Sequence, residues 1–307
     1  MKRVVSISLG SSKRNHKVQI EVLGEEFIVE RVGTDGDVNK AMEMIAALDG
    51  KVNAIGLGGT DLYIFAGGKR YAFRESLKLK NCAPHTLVVD GSSLKNTLER
   101  RVIENLSGEK GWDFTGKKVL LVSAVDRFGM AEALREAGAE LILGDLIFGL
   151  GIPLPLHSLT SLSRAARVLA PMVVQLPIRF IYPTGNKQDV SSPKYAKYYH
   201  EADIIAGDFH FIRRYMPENL SGKVIITNTV TMDDIGELRH RKASMLVTTT
   251  PEFNGRSFGT NVIEGILVSL ASKEGRELTQ EDFDDLLNRI HFEPRIIDLQ
   301  EENRLSS

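Results

Sequence analysis

Lys95 and Asp90 share one short segment, Asp90-Gly91-Ser92-Ser93-Leu94-Lys95-Asn96, between an apolar run at Thr86–Val89 and a helical pattern at Leu94–Leu106. A lysine and an acid at a strand-to-helix junction are candidates for general acid–base chemistry, because a cleft can move a lysine toward neutrality. Asp61 follows another apolar run, in Gly58-Gly59-Thr60-Asp61-Leu62-Tyr63. Paired glycines let a backbone approach a ligand closely, and Asp61 could then bind a hydroxyl or act as a base. Lys95, Asp90 and Asp61 form the candidate catalytic set. The same residues also suit plainer roles: Ser92 or Ser93 as a helix N-cap, Asp61 as a turn cap, Lys95 as an exposed cation.

A second constellation lies in the stretch from Lys118 to Asp145. Val119–Ser123 reads as a strand, Ala124-Val125-Asp126-Arg127-Phe128-Gly129 as a turn, Gly129–Ala137 as a helix, and Leu141–Leu143 as a strand ending near Asp145. This is the plan of a first βαβ unit that delivers a pyrophosphate to a helix N-terminus. The three-glycine fingerprint keeps only its last glycine, Gly129. Asp126 stands where the second glycine is expected and would repel a diphosphate by about 1–4 kcal/mol; Arg127 offsets that if it faces the ligand. Asp145, at the expected distance downstream, would read a ribose diol and so favour NAD over NADP, or else cap a turn. Ser123, Asp126, Arg127, Phe128, Gly129 and Asp145 are thus cofactor candidates. Asp208, Asn228, Thr229 and Thr249 join them because each follows a predicted strand, where open α/β sheets hold their ligands. A nicotinamide dinucleotide, another nucleotide-like ligand, and an altered site on a retained fold all remain open from these residues.

Three further groups could hold an anionic substrate. Ser11, Ser12 and Lys13 follow the first strand, and Arg256, Ser257 and Asn261 precede a C-terminal helix. Hydroxyls and cations in such positions bind carboxylate or phosphate, although a solvated basic turn has the same composition. His210 opens a predicted helix and could move a proton. No metal site is expected: the seven histidines are scattered, and Cys82 is the single cysteine.

These residues must be positioned by two kinds of element. Up to about residue 112, strands and helices mix: a strand at Val4–Leu9, a hairpin over Lys17–Leu23 and Glu26–Val32, a helix at Asp37–Leu48, a strand at Ala54–Leu57, and a second hairpin around Gly67-Gly68-Lys69. From 113 to 275 strand and helix alternate. Strands are predicted at Val119–Ser123, Leu141–Leu143, Met172–Leu176, Ile204–Gly207, Val224–Thr227 and Met245–Thr248. Short apolar strands with helical crossovers predict one doubly wound parallel sheet. Residues 276–307 add an amphipathic helix opening on Thr279-Gln280-Glu281-Asp282, close to a capping box, which is expected to return to the first domain. The fold class is therefore α/β: an N-terminal mixed α/β domain and a Rossmann-like domain with a doubly wound parallel sheet.

Composition narrows the function classes. At 307 residues the chain has room for two domains, and a formal net charge of −1 provides no general attraction to nucleic acid or anionic membrane. The longest apolar region, Leu141–Leu156, contains Asp145 and two prolines and is too broken to span a bilayer. A cytoplasmic protein with a small-molecule substrate is expected, with no nucleic-acid or membrane partner and with a homodimer as an open possibility.

Val88-Val89-Asp90-Gly91-Ser92-Ser93-Leu94-Lys95-Asn96-Thr97-Leu98-Glu99-Arg100 and Gly255-Arg256-Ser257-Phe258-Gly259-Thr260-Asn261-Val262 resemble quinate dehydrogenase sequences, and the whole plan resembles the shikimate/quinate dehydrogenase class. That class carries an early serine pair, weakly echoed by Ser6-Ile7-Ser8, and an Asn-Thr-Asp segment, whereas Asn96-Thr97 here precedes Leu98. The resemblance implies NAD or NADP on the second domain and hydride transfer with a small hydroxylated or carbonyl acid. Lys95, Asp90 or Asp61 would handle the hydroxyl proton, and Arg256 or Lys13 the carboxylate. The alternative is a non-redox protein of the same fold that binds another nucleotide or a phosphorylated metabolite, as a transferase or a sensor.

Overall fold

Val4, Val5 and Ile7 are almost completely buried at the centre of strand β1 (Lys2–Ser8). Near-continuous apolar character marks a strand covered on both faces, the condition of parallel sheets. A computed structural model describes residues 1–66, 69–178, 193–250, 252–253, 256–271 and 278–300. The chain has a mixed α/β fold of two compact units. Unit 1 comprises Met1–Thr97, Ala166–Gln188 and Phe253–Phe292; unit 2 comprises Leu98–Ala165, Asp189–Glu252 and Glu293–Ser307.

In unit 1, β1 pairs in parallel with β3 (Glu25–Gly33) and β4 (Ala54–Gly58), and β4 pairs with β7 (Leu87–Val89). β2 (His16–Val22) lies antiparallel on β3, giving the order β2-β3-β1-β4-β7. The β2–β3 hairpin turns through Leu23 and Gly24, both at positive φ (53° and 78°), which matches the twist of a two-residue turn. Helix α1 (Val38–Leu48) starts at Asp37, whose carboxylate accepts the Lys40 amide at 2.9 Å, and buries Ala41 and Ile45. β5 (Tyr63–Ala66) and β6 (Lys69–Ala72) form the second hairpin; Gly67 and Gly68 lie outside the described residues. Helix α2 (Arg74–Lys80) follows, an element the sequence reading did not include. Helix α3 (Ser92–Gly108) leaves β7, and the change from unit 1 to unit 2 falls inside it, between Thr97 and Leu98, earlier than the border read at residue 112.

Unit 2 contains β8 (Lys118–Leu121), α4 (Phe128–Glu136), β9 (Glu140–Leu143), β10 (Ile204–Gly207), β11 (Val224–Thr227) and β12 (Met245–Thr248). Helix α5 (Leu159–Val173) begins in unit 2 and ends in unit 1. Helices α6 (Ala196–Glu201), α7 (Phe209–Tyr215) and α8 (Met232–His240) complete the unit. Two-residue strands β13 (Glu252–Phe253) and β14 (Arg256–Ser257) pair with each other. Helices α9 (Thr260–Ala271) and α10 (Gln280–Arg289) fall in unit 1, and β15 (Arg295–Asp298) in unit 2. The unit 2 sheet has the order β15-β12-β11-β10-β8-β9, with β8 to β12 parallel and β15 antiparallel on β12. Among its parallel strands this is the doubly wound order 2-1-3-4-5, whose direction reverses between β8 and β10. Leu120, Ile205, Ile225 and Leu246 are fully buried in its core, each contributing about 1.5–3 kcal/mol by leaving water.

One expected strand is corrected. Met172–Leu176 ends helix α5 and turns out of it, and adds no sixth parallel strand. Ala166, Ala170 and Val174 are buried at intervals of four, and the Val174 amide bonds to the Ala170 carbonyl at 3.0 Å. The buried period is thus helical, although the apolar run alone fits either element. The sheet gains instead an antiparallel edge, β15.

Candidate functional site

In unit 1 the candidate residues gather at the carboxyl ends of β1, β4 and β7. Asp61 follows β4 and Lys95 lies in the first turn of α3; their Oδ1 and Nζ atoms are 3.3 Å apart, with side chains 12% and 8% exposed. Asp90, also buried, is held by the corner it turns. Its Oδ2 accepts the Leu62 amide at 2.5 Å, and its Oδ1 accepts the Ser92 amide at 3.2 Å and the Ser92 hydroxyl at 2.7 Å. The three catalytic candidates are therefore brought into one buried cluster, with Asp90 also capping α3.

The corner requires glycine. Gly91 has φ +95°, and a Cβ there would sit 2.9 Å from the Asn261 amide nitrogen at the start of α9. Gly91→Ala is expected to cost at least about 2 kcal/mol from the left-handed backbone and the clash together, measured by urea unfolding.

Sequence reasoning missed one member of this cluster, Glu264 on α9. Its side chain is buried, it receives bonds from the Gly91 amide and the Ser93 hydroxyl, and its Oε2 has no hydrogen-bond partner. Burial, and then the nearby Asp90 charge, push its carboxyl up to about 8, against the pull of Gly91, Ser93 and Lys95. The signal was available: Glu264 is the sole ionisable residue in the helix Thr-Asn-Val-Ile-Glu-Gly-Ile-Leu-Val-Ser-Leu-Ala.

The remaining unit 1 candidates sit around this cluster's sheet edge. The Ser11 hydroxyl accepts the Lys13 amide at 3.2 Å, and the Ser12 amide donates to Asp35 at 2.7 Å. Lys13 is exposed. Beside them the Arg31 guanidinium donates to the Ser8 hydroxyl and the Ser11 carbonyl, each at 3.1 Å; burial and the Arg14 charge pull it down to about 10. The Asn261 carboxamide donates to Ser6 Oγ at 2.7 Å. The side chains of Arg256 and Ser257 lie outside the described residues.

In unit 2 the candidates cluster at the reversal of strand order. The turn after β8 is a 3₁₀ turn, Val125–Arg127, running into α4. Phe128 and Gly129 begin that helix, with Gly129 buried. Arg127 does not face outward: it is 1% exposed and paired with the equally buried Glu99. Its Nη2 lies 3.4 Å from Asp208 and its Nε 3.9 Å from Asp126. The expectation that Arg127 offsets Asp126 at a ligand is thus replaced by an internal ion-pair network. Asp208 caps α7 through the His210 amide at 2.9 Å and accepts from the Asn228 carboxamide at 2.8 Å.

Asp145 closes the turn from below. Its Oδ1 accepts the Ala124 and Val125 amides, both at 2.9 Å, while its Oδ2 has no hydrogen-bond partner. Burial, with the Asp126 charge adding to it, pushes this carboxyl up to about 7. The ends of β11 and β12 add a band of hydroxyls. Thr227 donates to the Gly207 carbonyl at 2.8 Å, and Thr229 meets Thr250 at 3.2 Å. Thr248 and Thr249 are fully buried with unpartnered hydroxyls, as is the Ser123 Oγ atom. Buried hydroxyls without partners cost about 1–3 kcal/mol each, so this edge suits a polar ligand or bound water.

Among the described residues no group of three metal-ligating side chains comes together, and no helix is long and apolar enough to cross a membrane.

Residues 93–299 match the family described as a domain of unknown function (DUF8754), and the chain belongs to that family. Residues 3–90 match a second domain of unknown function (DUF8753). No curated protein sequence matches the chain. Similar solved structures include a galactofuranose binding protein, 12% identical, with a TM-score of 0.40 over 100% of this chain and 98% of that one. An ABC transporter solute binding protein from Agrobacterium vitis with bound allitol is 14% identical, with a TM-score of 0.39 over 99% and 98%. An L-tryptophan dehydrogenase from Nostoc punctiforme is 10% identical, with a TM-score of 0.34 over 94% and 80%.

Proposed function

We propose that the chain is an NAD(P)-dependent oxidoreductase acting on a small hydroxylated or carbonyl acid, with Lys95 and Asp61 as its proton-transfer pair. The observation that carries this reading is the buried Lys95–Asp61 contact at the carboxyl edge of the unit 1 sheet. An amine so placed can take a hydroxyl proton, and the adjacent carboxylate stabilises the ammonium that results. A nicotinamide nucleotide, when bound, would supply the hydride acceptor. Ser123, Thr248 and Thr249, with their unpartnered buried hydroxyls, suit its polar ribose and carboxamide groups. Lys13 and Arg256 remain the proposed carboxylate partners.

A second reading has its own observation. The Ala124 and Val125 amides, which a diphosphate would be expected to use, are already bonded to Asp145. That counts against a dinucleotide held by this turn, and so favours the alternative of a non-redox protein whose nucleotide or phosphorylated ligand is held elsewhere.

A thermal-shift titration with NAD, NADH, NADP, NADPH, S-adenosylmethionine and ATP separates the two. A ligand at about 100 times its Kd stabilises by about 2.7 kcal/mol. Shifts with nicotinamide nucleotides are expected. Silence from all four would end the oxidoreductase reading, and a shift with ATP or S-adenosylmethionine alone would select the second. In a hydride-transfer screen of hydroxylated acids, Lys95→Met is expected to lower kcat by about 10²-fold or more with nucleotide binding retained.

A further inference from the structure

We infer that Glu264 is a positioning residue that stores a proton beside the Lys95–Asp61 pair and so sets the charge that Lys95 faces. Four ionisable side chains of unit 1, Asp61 after β4, Asp90 and Lys95 at the β7–α3 corner and Glu264 on α9, are all buried; Lys95 contacts Asp61, and Glu264 lies within reach of the Asp90 and Lys95 charges. α9 lies so close to the sheet that a Cβ on Gly265 would meet Val4 at 2.8 Å, leaving little room for water around its neighbour Glu264.

A carboxyl group in such a place is expensive unless it serves the site. A purely structural side chain here would be fully bonded or apolar, yet the Glu264 Oε2 atom has no hydrogen-bond partner. Three carboxylates facing one ammonium would carry a net negative charge in a buried space. Holding Glu264 as the neutral acid reduces that excess by one, and the buried surroundings favour this form.

The groups acting on Glu264 can be named by element. From the β7–α3 corner come Asp90, which favours its proton, and Lys95, the Gly91 amide and the Ser93 hydroxyl, which oppose it. From β4, Asp61 acts through its contact with Lys95. β1 contributes the neutral Ser6, bonded to Asn261, and Lys2, bonded to the Ser269 carbonyl at the far end of the helix and paired with Glu25. Loss of the Glu264 proton to solvent would therefore strengthen the hold on the Lys95 ammonium, and its retention leaves Lys95 freer to act as a base. Proton occupancy at Glu264 and base strength at Lys95 become two sides of one coupled titration.

Infrared spectroscopy of the whole chain tests this without substrate. Between about pH 6 and pH 10 the native protein is expected to lose a carboxylic-acid carbonyl band that Glu264→Gln lacks; ¹³C-glutamate labelling identifies the same band without any variant and separates it from Asp145. Lys95→Met is expected to move the loss up by about one pH unit and Asp90→Asn to move it down by a similar amount. No glutamate acid band at about pH 6, or a titration that neither variant moves, would overturn the inference. The inference rests on reading Lys95 and Asp61 as the proton-transfer pair. If the infrared result holds and no nicotinamide nucleotide binds, only the oxidoreductase reading fails.

Discussion

Glu264→Gln is expected to be markedly more stable than the native chain at about pH 9 and close to it at about pH 4. In the folded chain the Glu264 carboxyl titrates at about 8, against an ordinary value of 4.5. The unfolded chain therefore gives up this proton first as pH rises. The stabilising contribution of the buried acid is fully present below about 4.5 and is lost as pH rises through about 8. Each unit of difference is worth about 1.4 kcal/mol, so the penalty removed by the glutamine is on the order of 3–5 kcal/mol at alkaline pH. Asp145, raised to about 7, changes in the same direction and remains in the variant. Urea midpoints across this pH range check the prediction. Parallel curves for the two proteins would show that Glu264 keeps no proton in the folded chain.

The second large effect is expected at Arg127. Its guanidinium and the Glu99 carboxylate are both 1% exposed and paired. Removing one member of a buried pair leaves the other charge without its counterion, which costs about 3–5 kcal/mol. Arg127→Met should therefore unfold at much lower urea. The double variant Arg127→Met/Glu99→Leu should recover most of the loss, because apolar replacements of a buried pair are often neutral. Additive losses in the two single variants and the double variant would show that the pair is not coupled. Circular dichroism at each urea concentration supplies all four corners of the cycle.

Much of the fold was legible because local signals agreed with each other. The helix read at Asp37–Leu48 is α1, and Thr279 with Asp282 forms the expected reciprocal cap of α10, the Asp282 amide bonding to Thr279 at 3.2 Å. The apolar runs at β8, β10, β11 and β12 each became parallel strands. Met172–Leu176 misled because five residues between two prolines, four of them apolar, carry no period of their own. Its helical character appears only when Ala166 and Ala170 are counted with Val174. β15 was missed because four residues, Arg-Ile-Ile-Asp, owe their strand form to pairing with β12.

The site was legible in part for the same physical reason. Strand ends can be found from sequence, so Asp61, Asp90 and Lys95 group together from the sequence alone. Whether a charge turns inward cannot be read that way. The turn sequence leaves open whether Arg127 faces a ligand, because its buried partner Glu99 lies 28 residues away in sequence. Glu264 carried a visible signal, a single acid in an apolar helix, but its meaning depends on Asp90 and Lys95 lying beside it.

The antiparallel strand β15 has a consequence for synthesis. A growing chain emerges N-terminus first, and early segments fold as units when they can. Here β12 keeps a bare edge until residues 295–298 leave the ribosome, and unit 1 lacks α9 until residue 271 has done so. Unpaired edges and uncovered apolar faces invite association. The interleaved order of segments thus postpones completion of unit 1 until residue 271, and of the unit 2 sheet until residue 298, has emerged.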